Sequence, residues 1–114
     1  ILSNPWHHDA RWLPYYQAHH DESVRIVTPM VVLEVPQLGK TVAGKTYPQA
    51  ITLCHYPIAE WDRKHHGGWH LHGHSHGKFR GYTSGEKAID VGVDAQNYAP
   101  VSLAEIVAQM AARV

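Results

Sequence analysis

Trp69-His70-Leu71-His72-Gly73-His74-Ser75-His76-Gly77 places four imidazoles within seven residues. An extended backbone sends alternate side chains to one side, so His70, His72, His74 and His76 would share a face if the run stayed extended. Gly73 argues against that: it marks a place where the backbone turns and approaches something closely. The reading is therefore a short strand, Trp69 to His72, that ends in a Gly-His-Ser-His turn. Imidazole is the commonest neutral metal ligand near pH 7 and suits zinc, iron, copper and nickel. Two imidazoles at the end of an apolar strand are thus a candidate metal-ligating pair.

Working outward, Gln49-Ala50-Ile51-Thr52-Leu53-Cys54-His55-Tyr56-Pro57 reads as a strand that closes on a histidine and a proline. Ala88-Ile89-Asp90-Val91-Gly92-Val93 reads as another, with Gly92 permitting a close backbone approach. Val24 to Val27 and Met30 to Val35 are rich in β-branched residues and bounded by Pro29 and Pro36, so they read as two short strands, or as one broken by Pro29. Gln37 to Pro48, holding Gly39 and Gly44, reads as a hairpin loop, and Ile58 to Gly68 as a polar loop or one helical turn. Ser102-Leu103-Ala104-Glu105 is a capping box, and Leu103, Ile106, Val107, Met110 and Val114 keep a helical spacing, which predicts an amphipathic helix packed on a sheet. Residues 3 to 21 are polar and aromatic, punctuated by Pro5 and Pro14.

Composition bounds the class. The chain has 114 residues, 44% of them hydrophobic, enough for one small core spanning 1–114 as a single domain. Ten basic residues balance ten acidic ones, so no basic footprint for nucleic acid is present. Eleven histidines are the unusual count, and they would make the chain strongly cationic in mild acid. The single cysteine, Cys54, lies in an apolar run and reads as a buried thiol; with no apolar run long enough for a membrane span, a soluble cytoplasmic setting is the expectation. The chain opens at Ile1, and Ile1-Leu2 reads as the tail of a strand, so a piece whose beginning is missing is expected.

Leu53 to Pro57, Leu71 to Gly77, and Asp90-Val91-Gly92-Val93-Asp94 through Pro100-Val101-Ser102-Leu103 together resemble the C-terminal portion of a calcineurin-like metallophosphoesterase, closest to the small single-domain bacterial and phage branch. That resemblance implies an α/β fold, a β-sandwich flanked by helices. It also implies hydrolysis of phosphoric esters at a dinuclear site holding two divalent ions (Mn, Fe, Ni or Zn). His55 matches a ligand of one ion, His74 a second ligand of that ion, and His76 a ligand of the other. In the same scheme Asn4 supplies a further ligand, although His7 fills that position in another register. His8 matches the catalytic histidine, Asp9 its orienting carboxylate, and Arg11 is a candidate to steady a substrate phosphate.

Two blocks of the family pattern, Asp-x-His and Gly-Asp-x-x-Asp, are not found, and they would supply the carboxylate that bridges the ions. The expectation is thus an N-terminally truncated or degenerate member with impaired activity. Implied substrates are phosphoester small molecules or nucleotides, with nucleic acid only as a substrate and no membrane partner. The alternative is a histidine-rich metal-binding module or pseudo-enzyme without catalysis. A third arrangement has a partner chain completing the site. His70 is expected to be packed or solvated, His72 structural, His65-His66 and His19-His20 solvated, and Asp90 and Asp94 engaged in strand-end hydrogen bonds.

Overall fold

The computed structural model describes residues 30–83 and 85–113. These form a small mixed α/β domain: four strands and one helix, β1 (Met30–Val42), β2 (Lys45–Cys54), β3 (Trp69–His72), β4 (Ala88–Asp90) and α1 (Leu103–Ala111). The sheet order is β1-β2-β3-β4. β1 and β2 are antiparallel, while β2, β3 and β4 run parallel. Parallel neighbours need crossovers, supplied by residues 55–68 and 73–87, the first containing a 3₁₀ turn at Lys64–His66.

Gln37 to Pro48 departs from the expected loop. β1 continues to Val42, β2 begins at Lys45, and Ala43-Gly44 alone makes the turn, both residues at positive φ (52° and 78°). Pro36 does not end the strand because the register shifts between Val35, paired with Gln49, and Lys40, paired with Tyr47. The extra residues bulge at that shift, in a strand on the edge of the sheet, where a missing amide is tolerated. The proposed strand at Val24 to Val27 lies outside the described residues. β4 closes at Asp90, and Val93–Ala95 is a 3₁₀ turn rather than a continuation.

Both faces of the parallel region are covered. Ile51, Leu71 and Ile89 form one face and pack with Ile106 and Met110 of α1, with Leu53, Trp69 and Val101 at the margin. Burying such aliphatic side chains contributes about 1.5–3 kcal/mol each. Of the stripe expected on α1, Ile106 and Met110 are the buried positions and Leu103 is exposed. Ser102 is the N-cap: its Oγ accepts from the Glu105 amide at 3.1 Å and donates to the Glu105 carboxylate at 3.1 Å. The opposite face carries Thr52, Cys54, His70 and His72, all buried. Trp61 stacks on His70 with 5.3 Å between ring centroids, and Tyr82 stands over His72 at 5.7 Å. No helix among the described residues is long and apolar enough to cross a membrane.

Candidate functional site

β2 and β3 run in parallel, so their C-terminal ends reach the same rim, and each end carries a histidine. Gly73 extends the ladder by one bond beyond β3, donating its amide to the His55 carbonyl at 3.1 Å. A Cβ at Gly73 would lie 3.9 Å from that same oxygen, an ordinary contact, so the close backbone approach expected at this glycine is not found. Just past it, the His74 ring lies beside the His55 ring, with centroids 5.2 Å apart and planes tilted by 59°. Tyr56 packs edge-on against both, 5.0 Å from His55 and 4.6 Å from His74. His55 is half-buried and His74 exposed, so the pair faces solvent from one side.

The extended reading of the histidine run ends at His72. His74 and His76 both adopt left-handed backbone conformations (φ 65° and 52°), as does Gly77 (φ 75°). Such conformations cost a non-glycine residue about 1–2 kcal/mol, although histidine visits them more often than most. Two carboxylates hold the turn, one on the last residue of β4 and one in the 3₁₀ turn that follows. Asp90 accepts the Gly77 amide through Oδ2 at 2.8 Å and the Gly92 amide through Oδ1 at 3.0 Å. Asp94 Oδ2 accepts from Nδ1 of His76. Strand-end hydrogen bonding was the expectation for Asp90 and Asp94; the His76 partner of Asp94 and the Tyr56 contact with His74 were not anticipated. The Asp-x-Gly-x-Asp spacing was the available signal.

The run therefore divides its histidines. His55 and His74 are brought side by side, and His76 is turned to Asp94. His70 and His72 are interior, with ring centroids 5.4 Å apart. Burial holds both below the ordinary imidazole range, against the pull of the Thr52 carbonyl on His70 and of the Gly73 carbonyl and Asp90 on His72. Beneath them burial pushes the Tyr82 phenol up to about 12, and its hydroxyl donates to the Ile58 carbonyl at 2.6 Å.

His76 and His72 line a cavity of about 540 Å³ together with Arg80, Asp90 and Gln96. A larger cleft of about 920 Å³ lies between the hairpin, at Lys40 and Tyr47, and Arg63 and His66; none of His55, His74 and His76 lines it. Asn4, His7, His8, Asp9 and Arg11 lie outside the described residues. Among the described residues, no group of three or more His, Cys, Asp or Glu side chains is arranged to hold a metal ion.

His55 and His74 bring together two imidazoles, where a zinc site takes three or four protein ligands. Two imidazoles sharing one tetrahedral ion, with metal–nitrogen bonds of about 2.0–2.1 Å, place their ring centroids roughly 5 Å apart. The His55–His74 spacing agrees with that. Comparison with known proteins found no matching family model, curated protein or solved structure.

Proposed function

We propose that this chain contributes to metal-dependent hydrolysis of phosphoric esters at a dinuclear site of the calcineurin-like type. The observation that carries the reading is the side-by-side placement of His55 and His74, 19 positions apart in sequence, at the ends of adjacent parallel strands. On this reading His55 and His74 hold one divalent ion and His76 belongs to the other, with Asn4 as a further ligand. Bound divalent ions supply the Lewis acidity and the activated water that ester hydrolysis needs at neutral pH. The four-stranded sheet is then part of a β-sandwich flanked by helices, working in the cytoplasm on phosphoester small molecules or nucleotides.

The protein's own residues do the following. Tyr56, packed edge-on against both rings, limits the orientations open to His55 and His74. Asp90 pins the turn between β3 and the loop that follows, so His74 and His76 keep their places without substrate. His8 donates a proton to the leaving oxygen and Asp9 orients it, a contribution of roughly 10²–10⁴ in rate where it operates. Arg11 pairs with a phosphoryl oxygen. The bridging carboxylate of the resemblance has no counterpart in these 114 residues, and the expected activity of this chain alone is accordingly low.

A second reading, a histidine-rich metal-binding module or pseudo-enzyme without catalysis, draws on the eleven histidines of the chain. Titration with Mn(II) and Zn(II), paired with turnover of a chromogenic phosphodiester, separates the two. The hydrolase reading expects slow, metal-dependent turnover that falls further in both H55A and H74A. Metal uptake by the wild type without turnover favours the second reading. Equal binding, or none, by wild type, H55A and H74A defeats both.

A further inference from the structure

We infer that Asp94 is a positioning residue for His76: it fixes the ring as its Nδ1–H tautomer and leaves Nε2, with its lone pair, as the nitrogen that can meet a ligand. The inference deepens the proposed metal site and rests on it only for the identity of what Nε2 meets. It stands on three features of the described residues.

The first is the pairing itself. Nδ1 of His76 faces Oδ2 of Asp94, and an ionised carboxylate can only accept, so the proton resides on Nδ1. The second is how each partner is held. His76 sits in a left-handed conformation at φ 52°, which the turn would give up at a gain of about 1–2 kcal/mol if nothing held it there. The Asp90 clamp on Gly77 is one restraint and the Asp94 carboxylate is the other. Asp94 is itself carried by the 3₁₀ turn Val93–Ala95, which the Ala95 amide closes by donating to the Gly92 carbonyl at 2.9 Å. The third is the exposure of the ring. Its side chain is 69% exposed while Asp94 is 33% exposed, so the carboxylate secures one edge and the rest of the ring remains open. An exposed His–Asp pair contributes little to stability. Its consequence is orientation. A carboxylate behind an imidazole is the arrangement that sets the tautomer and ring angle of a ligating histidine, and its loss typically weakens metal binding 10- to 100-fold.

The test uses the full chain, wild type and D94A, with H76Q to assign the resonances. Long-range ¹H–¹⁵N correlation spectra at about pH 8.5, where an ordinary imidazole is neutral, read the tautomer directly without any metal. The expected result is an Nδ1–H signature for His76 in the wild type that is lost or averaged in D94A, with His70 unchanged as an internal measure of folding. An Nε2–H signature in the wild type, or an unchanged His76 spectrum in D94A, overturns the inference. Zn(II) titration follows in the same samples. A 10- to 100-fold weaker affinity in D94A supports the role in presenting Nε2, and equal, measurable affinities overturn that role. If no variant takes up zinc while the tautomer changes as expected, the assignment of Asp94 survives and the proposed metal site is what fails.

Discussion

The His70 ring ties β3 to β2: its Nδ1 lies 3.1 Å from the Thr52 carbonyl while its Nε2 lies 3.3 Å from the Ile58 amide. A carbonyl can only accept and an amide N–H can only donate, so Nδ1 carries the hydrogen and the ring is neutral. His70 is fully buried and His72 nearly so. Burial lowers both below the ordinary imidazole value of about 6.5, and in His70 the neighbouring His72 lowers it further. Between the lowered folded values and about 6.5 the unfolded chain binds more protons than the folded one, so stability rises with pH there. The contribution is complete above about pH 6.5 and is lost as pH falls towards the folded values. Urea midpoints should fall from pH 7.5 to pH 5.5 at constant salt. A flat or rising profile towards acid would contradict the neutral, interior placement of these rings.

His70→Phe tests the hydrogen bonds apart from the packing. Phenylalanine keeps a ring against Trp61 but leaves the Thr52 carbonyl and the Ile58 amide without their side-chain partner. An unsatisfied buried polar group costs about 1–3 kcal/mol, so a loss of roughly 2–4 kcal/mol is expected. Chemical denaturation at pH 7.5 measures it. The same variant should show a shallower fall in stability towards pH 5.5, because one of the two titrating rings is gone.

Three of the strands and the helix were legible in the sequence for simple reasons; the parallel pairing of those strands was not. β3 ends where Gly73 follows His72, β2 ends before Pro57, and the Ser102–Glu105 cap announces α1. Their shared rim followed from two strands that each close on a histidine. β1 was harder. Pro36 and Gly39 are local breakers, and only pairing with β2, which absorbs residues 36–39 opposite Pro48, carries the strand through them. Alternation left His70 open between packed and solvated and gave His72 a structural place; Trp61 and Tyr82, arriving from the crossovers, are what close both inside. The His76–Asp94 pair was not legible, since it depends on left-handed turns at His74 and His76, a conformation that histidine tolerates but that its presence alone does not announce.

The hairpin turn carries an improvable residue. Ala43 and Gly44 both have positive φ, the requirement of a two-residue type I′ turn, between the paired ends Val42 and Lys45. Alanine pays a steric cost there that asparagine largely avoids. Ala43→Asn should therefore raise stability by about 0.5–1 kcal/mol, seen as a higher urea midpoint with an unchanged slope. A destabilised variant would mean that the turn is not of this type.

Gly68 is the opposite case, a glycine needed for space. A Cβ there would stand 2.4 Å from the Asp62 carbonyl oxygen and 2.9 Å from the Arg63 backbone, at the entrance to β3. The Gly68 amide donates to the Arg63 carbonyl at 2.7 Å, and its own carbonyl accepts from the Trp61 indole at 2.8 Å. Backbone atoms on both sides cannot move aside cheaply, so Gly68→Ala should cost about 1–3 kcal/mol. Because the shift would dislodge Trp61 from His70, tryptophan fluorescence should change along with the midpoint. Gly44→Ala tests a different term: a Cβ there meets nothing, so its penalty is conformational alone.

Lys87, one residue before β4, closes the far end of α1. Its ammonium donates to the Met110 carbonyl at 2.7 Å and also to the Arg113 carbonyl. The Met110 carbonyl also accepts the Arg113 amide at 3.1 Å, so the partly buried cation adds a second donor there and meets the negative end of the helix dipole. The same contact joins the entrance of β4 to the element that covers Ile89, which makes it a tertiary link as well as a cap. Lys87→Met keeps the aliphatic stem and removes the donors and the charge; it should cost about 1–2 kcal/mol. Amide hydrogen exchange is the sharper readout: residues 110–113 should lose protection while the Ser102 end of the helix keeps its own. Uniform loss of protection along α1 would mean that Lys87 acts through sheet packing rather than through the helix terminus.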